Sequence, residues 1–236
     1  MNCPEYIWCV IPVYNHAETV KAVVETTLKI CPGTVVVDDG STDADIKELL
    51  KDTGAVVISH TENHGKGAAL KTGAEYVQEK EGKYIITLDA DGQHNPEDIN
   101  AFLPHITEKA DSIIIGNRIF SENVPERSRF GRKFSNFWIN FETGCRILDS
   151  QSGFRGYPAS LLAEMKTKAG HYAFETEILV RGIWSGLKPI NVDISVYYPE
   201  REERISHFRP FLDNFRISLL HSRLTAEKIL FHRKKS

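Results

Sequence analysis

Short apolar runs punctuate the first half of the chain: YIWCVI (6–11), TVVVDD (34–39), AVVIS (55–59), YIITLD (84–89) and SIIIGN (112–117). None alternates strictly with polar residues, which is the pattern of parallel strands covered on both faces. Amphipathic segments lie between them. The clearest is PEDINAFLPHITEK, where Ile99, Phe102, Leu103 and Ile106 recur at helical spacing behind an Asn95 cap and a Pro96 start. Repeated β-α units predict an α/β fold, a doubly wound and mostly parallel sheet flanked by helices. The second half is less regular, with helices expected near 131–148, 158–168 and 174–185, a strand near 190–197, and a helical segment over 210–231. No repeat, low-complexity tract or linker interrupts the chain. It therefore reads as one domain over 1–209 carrying a basic amphipathic helical tail over 210–236.

Ligands of such sheets bind beyond the C-terminal ends of the strands. The polar clusters fall there: PVYNHAE after the first strand, DDGSTD after the second, HTENHGKG after the third and DADGQH after the fourth. Turns alone do not account for four such ends.

At the fourth end Asp89 and Asp91 flank Ala90, with Gln93 two residues on. Residues i and i+2 of an extended segment point the same way, so both carboxylates can face one ligand. Hard oxygen ligands in this number suit Mg²⁺ or Mn²⁺ held together with substrate phosphates. The plainer alternative is an Asp turn capping the next helix, but Asn95 and Pro96 already supply that start. At the second end Asp38 and Asp39 precede Gly40, an acidic pair able to accept hydrogen bonds from a base or ribose, or simply to solvate a turn. Gly65-Lys66-Gly67 is a partial glycine-rich loop whose third glycine is Leu70, so it fails as a dinucleotide fingerprint. It still permits close approach of a phosphate or sugar. Residues 117–135 carry Arg118, Arg127, Arg129, Arg132, Lys133 and Ser135, a density of cations that suits phosphate oxygens. A solvated basic loop is the alternative.

These stretches, taken in order, resemble the family-2 glycosyltransferases of the GT-A fold: VIPVYNHAETV, VVVDDGSTD, NHGKGAALKTG and LDADGQHNPEDI. More narrowly, GNR, DSQSGFRGYP and FETEILVRG are similar to the polyprenyl-phosphate sugar synthases, the dolichyl-phosphate mannose synthase group. The resemblance runs from residue 6 to about residue 209. It implies transfer of one sugar, with inversion, from a GDP- or UDP-linked donor to a polyprenyl phosphate or another lipid-linked or glycan acceptor. Pro12, Tyr14, Asn15 and Asp39 would hold the nucleotide, with Lys66 nearby. The Asp89-Ala90-Asp91 turn and Gln93 would hold Mg²⁺ or Mn²⁺ on the diphosphate. Arg118, Arg132 and Ser135 would face an acceptor phosphate.

The sequence departs from the family pattern twice. The usual YNE is YNH, placing His16 where an acidic residue is expected. The late R-x-x-G-x-S-K element is replaced by REERISHFRP, in which Arg204 and His207 would reach the diphosphate. A hydroxyl acceptor would need a general base, for which Asp149 is the first choice and Glu177 the second; Glu175 and Glu177 otherwise read as helix-surface charges. Two rival readings fit the residues less well. A sugar nucleotidyltransferase needs a glycine-rich loop after the first strand, which PVYNHAE lacks. A catalytically inactive nucleotide-sugar binding protein would have lost the aspartate pair, which is present.

Composition narrows the setting. The chain of 236 residues is 41% hydrophobic and 26% charged, and no stretch approaches the ~20 apolar residues that cross a bilayer. MNCPEYIWCV lacks the basic start of a signal peptide, and Cys3, Cys9, Cys31 and Cys145 show no metal spacing, so a reducing, cytoplasmic location is expected. A net charge of −3 conceals nine Lys/Arg against four Asp/Glu from Arg201 to Ser236. With Phe208, Phe211, Leu212, Phe215 and Leu219 at helical spacing, that end is expected either to touch the cytoplasmic membrane face peripherally or to pack as a helix on the core or in a dimer. No nucleic-acid partner is expected.

Overall fold

The computed structural model describes residues 3–119, 126–165, 167, 172–196 and 210–232. Seven strands form one sheet: β1 (Ile7–Val13), β2 (Thr34–Asp38), β3 (Val56–Ser59), β4 (Tyr84–Thr87), β5 (Ser112–Arg118), β6 (Arg155–Pro158) and β7 (Lys188–Ile194), in the order β3-β2-β1-β4-β6-β5-β7. All pairings are parallel except those of β6, which runs antiparallel to both β4 and β5. The sheet is therefore mostly parallel, as its apolar runs predict. Alternate strand residues feed two cores. Val10, Val35 and Val37 face one side with Leu70 and Ile178, whereas Cys9, Ile11 and Val36 face the other with Val20, Val24 and Phe102. Burial on both faces is why no polar alternation marks these strands.

The helices are α1 (Ala17–Leu28), α2 (Ile46–Leu50), α3 (Lys66–Glu79), α4 (Ile99–Phe102), α5 (Glu126–Thr143), α6 (Ala159–Glu164), α7 (Tyr172–Trp184) and α8 (Pro210–Glu227). The helix expected over 96–109 is broken into a 3-10 turn Pro96–Asp98, the single turn α4 and a second 3-10 turn Leu103–His105. Pro104 has no N–H to continue the helical ladder. β6 was not expected at all, because RGYP contains a glycine and a proline and is too short for a periodic signal.

α8 lies against the body. Leu220 and Leu224 enter the first core, and His221 Nδ1 sits 2.9 Å from Glu142 Oε1 of α5, with Trp138 stacked on its ring. Arg223 pairs with Glu177, and Arg181 with Glu227 at 3.0 Å. Of the apolar stripe expected to meet a membrane, Phe208 and the side chains of Phe211, Leu212 and Phe215 lie outside the described residues, and Leu219 is exposed. Among the described residues no helix is long and apolar enough to cross a membrane.

Candidate active site

The site is assembled at the C-terminal ends of β1, β2 and β4. Asn15 leaves β1 in the left-handed region (φ 56°); its N–H donates to Ser41 Oγ at 3.1 Å and its Oδ1 accepts from Thr42 N at 2.8 Å. Ala17 N donates to Asp43 Oδ2 at 2.9 Å. The first and second polar loops are thus clasped, with Tyr14 half-buried beside them and Pro12 buried in β1. His16, at the position where the family pattern has an acid, makes no side-chain cap to α1. Asp43 supplies the anion at that helix start from the neighbouring loop.

Asp39 is 2% exposed. Its oxygens accept from His60 Nδ1 (2.7 Å), His64 N (3.0 Å) and Gly65 N (2.7 Å), which pins the loop before α3 to the end of β2. Gly65 caps α3 at φ +91°, a conformation that favours glycine. Lys66 opens the helix. Its Nζ lies 2.5 Å from Asp89 Oδ1 and 3.0 Å from Glu175 Oε1 of α7. Burial works against its charge, but these two carboxylates outweigh it and hold the ammonium above its usual range.

Asp89 and Asp91 follow β4 in one tight turn, with Ala90 buried between them and accepting Thr19 Oγ1 at 2.6 Å. The turn is closed by Gln93 N donating to Asp91 Oδ1 at 3.0 Å. The two carboxyls are in opposite electrostatic states. Burial disfavours charge on Asp89, yet Lys66 overcomes this and holds it below the carboxylate range. Burial and the charge of Asp89 push Asp91 up to about 6. Asp91 therefore carries negative charge for which the fold supplies little compensation. Next to it His94 is buried, its Nδ1 without a hydrogen bond and its ring edge-on to Phe154. Burial pushes this imidazole down to about 4.

On the other side stands Asp149, 0% exposed. Arg118 grips it with two prongs, Nε to Oδ2 at 2.7 Å and Nη2 to Oδ1 at 3.0 Å. Arg132 Nη1 approaches Oδ2 at 3.4 Å and Arg118 O at 3.0 Å. Burial disfavours the charge of Asp149, but Arg118 and Arg132 win and hold its carboxyl below the usual range. Ser135 is buried and accepts from Ser150 Oγ at 2.9 Å. Two guanidinium charges thus share one carboxylate.

Gly153 brings the two halves together. A Cβ there would strike Asp89 Oδ2 and lie 2.7 Å from Lys66 Nζ, so only glycine lets the loop carrying Asp149 close on the aspartate turn. Arg118 is near enough for its charge to act on both Asp89 and Asp91. The loop itself hangs on Arg155, fully buried, which donates to Ser152 O (2.7 Å), Ser150 O (2.5 Å), Glu175 O (2.7 Å) and Tyr157 Oη (3.1 Å). The sequence pattern does not mark Arg155; its one signal is a lone arginine inside the apolar run FRGY. Glu175 and Glu177 are not helix-surface charges. Both are buried, Glu175 on Lys66 and Glu177 on Arg181 (2.8 Å) and Arg223. Arg204 and His207 lie outside the described residues, as do the side chains of Arg127 and Arg129.

Among the described residues no group of three or more His, Cys, Asp and Glu side chains is arranged to hold a metal alone. Asp89 and Asp91 nevertheless fit a hard divalent ion that takes its other ligands from phosphate oxygens and water.

The model of glycosyl transferase family 2 matches residues 8–165. An uncharacterised protein of Methanocaldococcus jannaschii is 33% identical over 82% of this chain and 82% of its own length. The polyprenol monophosphomannose synthase of Mycolicibacterium smegmatis is 30% identical over 84% of this chain and 78% of its own. The UDP-N-acetylglucosamine–dolichyl-phosphate N-acetylglucosaminyltransferase of Methanococcus voltae is 29% identical over 82% and 86%. Among solved structures, glucosyl-3-phosphoglycerate synthase of Mycobacterium tuberculosis, crystallised with Mn²⁺ and UDP, superposes with a TM-score of 0.64 at 21% identity, over 93% of this chain and 77% of that one. Mannosyl-3-phosphoglycerate synthase of Rubrobacter xylanophilus gives 0.68 at 19% identity, over 94% and 73%. The fold is GT-A, and the chain belongs to glycosyl transferase family 2 as a glycosyltransferase close to the polyprenyl-phosphate sugar synthases.

Proposed function

We propose that this enzyme moves a sugar from a UDP- or GDP-linked donor to the phosphate of a polyprenyl phosphate, by a single displacement that inverts the anomeric carbon. One observation carries the acceptor class: Asp149 is sealed beneath Arg118 and Arg132 and held ionised by them. A carboxylate so engaged is a poor proton acceptor for a hydroxyl. A phosphate acceptor is already ionised and needs placement, which two arginines supply through charge-assisted hydrogen bonds. Asp149 then acts as a positioning residue that orients both guanidiniums.

Asn15 and the clasped loops of β1 and β2 form the nucleotide side, and Asp39 fixes the glycine loop that faces it. Asp89 and Asp91, with Gln93, would hold Mg²⁺ or Mn²⁺. Such an ion offsets the charge that departs with the nucleoside diphosphate. Relatives named for polyprenol and dolichyl-phosphate acceptors, and a fold neighbour crystallised with Mn²⁺ and UDP, support this reading.

A lipid acceptor requires contact with a bilayer, and α5 offers a surface for it. Its inner face carries Arg132 and Ser135, while Phe134, Phe137 and Phe141 are exposed on the outside, Phe137 by 62%. Lys228 lies 4.7 Å from the ring centroid of Phe141. Aromatic side chains beside cations suit the headgroup region. In this reading α5 would meet the membrane, alongside the basic tail over 210–236.

The variants Arg132→Ala and Asp149→Asn test the acceptor. With polyprenyl phosphate, Arg132→Ala should raise the acceptor KM about tenfold or more while donor binding holds, and Asp149→Asn should keep measurable transfer with the wild-type pH profile. A harmless Arg132→Ala beside an Asp149→Asn that loses the ~10²–10⁴-fold worth of a general base favours a hydroxyl acceptor with Asp149 as base. Nucleotide-sugar binding without turnover on any acceptor indicates a binding protein.

A further inference from the structure

Lys66 occupies an unusual place for a residue expected near the nucleotide. Its ammonium sits between Asp89 and Glu175, 2.5 Å and 3.0 Å away, beside the Asp89/Asp91 turn. Lys66 and Glu175 are both largely buried, with side chains 19% and 9% exposed, and Gly153 closes over the ammonium. Moving out to bulk water when a second cation arrives at Asp89 would cost the lysine both of its ion pairs. Glu175, already touching it, is placed to receive it.

We propose that Lys66 is a resident counter-cation of Asp89 that is handed over to Glu175 when a divalent ion binds the aspartate turn. The proposal rests on the metal site described above. Before metal binds, the Lys66 ammonium, 2.5 Å from Asp89 Oδ1, balances that carboxylate and fixes its orientation. On loading, Asp89 would turn to the ion and release the ammonium, which would move the short distance onto Glu175 and remain beside the place of the donor diphosphate. Glu175 thus becomes a positioning residue for metal loading, in a helix whose next acid, Glu177, serves α8 instead. Two buried cations in one carboxylate cradle repel strongly, so the position of the lysine sets the affinity for the ion.

The test is Mn²⁺ binding to the purified full-length protein without nucleotide, read by electron paramagnetic resonance of the free ion. Removing the competitor in Lys66→Met should tighten Mn²⁺ binding about tenfold or more, although it deletes a residue of the site. Removing the receiving group in Glu175→Gln should weaken it at least about threefold, and much of that loss should vanish when the change is made in the Lys66→Met background. Unchanged or weaker binding by Lys66→Met overturns the hand-over. So does an equal Glu175→Gln loss in both backgrounds, which would make Glu175 a direct partner of the ion. If Lys66→Met does not fold, Glu175→Gln decides alone, and unaltered Mn²⁺ affinity there overturns the proposal. Mn²⁺ that fails to bind the wild type, with or without UDP or GDP, overturns the metal site beneath it, an outcome distinct from the others.

Discussion

Asp91→Asn should abolish sugar transfer and yet raise the melting temperature of the metal-free protein. Folding places this carboxyl in a half-buried turn beside the ionised Asp89 and pushes it from 3.8 up to about 6. An acid whose pKa is raised by folding costs nothing below its unfolded value. The cost grows as pH rises from the unfolded value and is complete above the folded value, because over that range the unfolded state has released a proton that the folded state still holds. At about 1.36 kcal/mol per unit, full expression at pH 7.5 would be about 3 kcal/mol, and water reaching the turn reduces this to about 1–2 kcal/mol. Asparagine keeps the acceptor for Gln93 N and carries no charge. For a domain of this size the gain corresponds to a rise of roughly 2–8 °C. Thermal melts in a chelator at pH 7.5 and pH 4.5 should show the variant above the wild type at the higher pH and the gap shrinking at the lower. Mn²⁺ should then raise the wild type and leave the variant nearly unmoved. A variant that melts below the wild type at pH 7.5, or a gap independent of pH, would refute the electrostatic account of this turn.

Gly153→Ala places a methyl group against Asp89 and Lys66 and should cut turnover by about tenfold or more, read as initial rates with saturating donor, while circular dichroism stays native; wild-type rates would show that the loop gives way. His94, pushed down to about 4 by burial, contributes stability fully above pH 6.5 that drains as pH falls toward 4, about 2 kcal/mol by pH 5. His94→Phe should flatten that acid limb in urea titrations, and an unchanged limb assigns it elsewhere. Replacing Phe134, Phe137 and Phe141 together by Ser should lower co-sedimentation with anionic vesicles several-fold without changing the melting point, and equal sedimentation would remove α5 from the membrane contact.

Much of this arrangement was legible in the sequence because it is local. Strands buried on both faces announce themselves as unbroken β-branched runs, and the polar strand ends fall where a parallel sheet puts its ligands. Asp89, Asp91, Lys66, Arg118, Arg132 and Asp149 do converge on one site. What stayed hidden depends on partners far apart in the chain. Asp39 looks like a solvated turn until His60, His64 and Gly65 are folded onto it. Glu175 and Glu177 look like surface charges until Lys66 and Arg223 arrive from other helices. β6 escaped because four residues with a glycine and a proline carry no period, and α4 was overestimated because the apolar spacing ignores the missing N–H of Pro104.

The most direct test of the central claim is the chemical nature of the product. Purified protein, Mn²⁺, UDP- and GDP-linked sugars and either a polyprenyl phosphate or the matching polyprenol are incubated in detergent, and the lipid is analysed by mass spectrometry and phosphorus NMR. The account predicts that the lipid phosphate gains one sugar residue and that its phosphomonoester signal becomes a phosphodiester, while the polyprenol is untouched. Sugar found on the polyprenol hydroxyl with the lipid phosphate unchanged would contradict it.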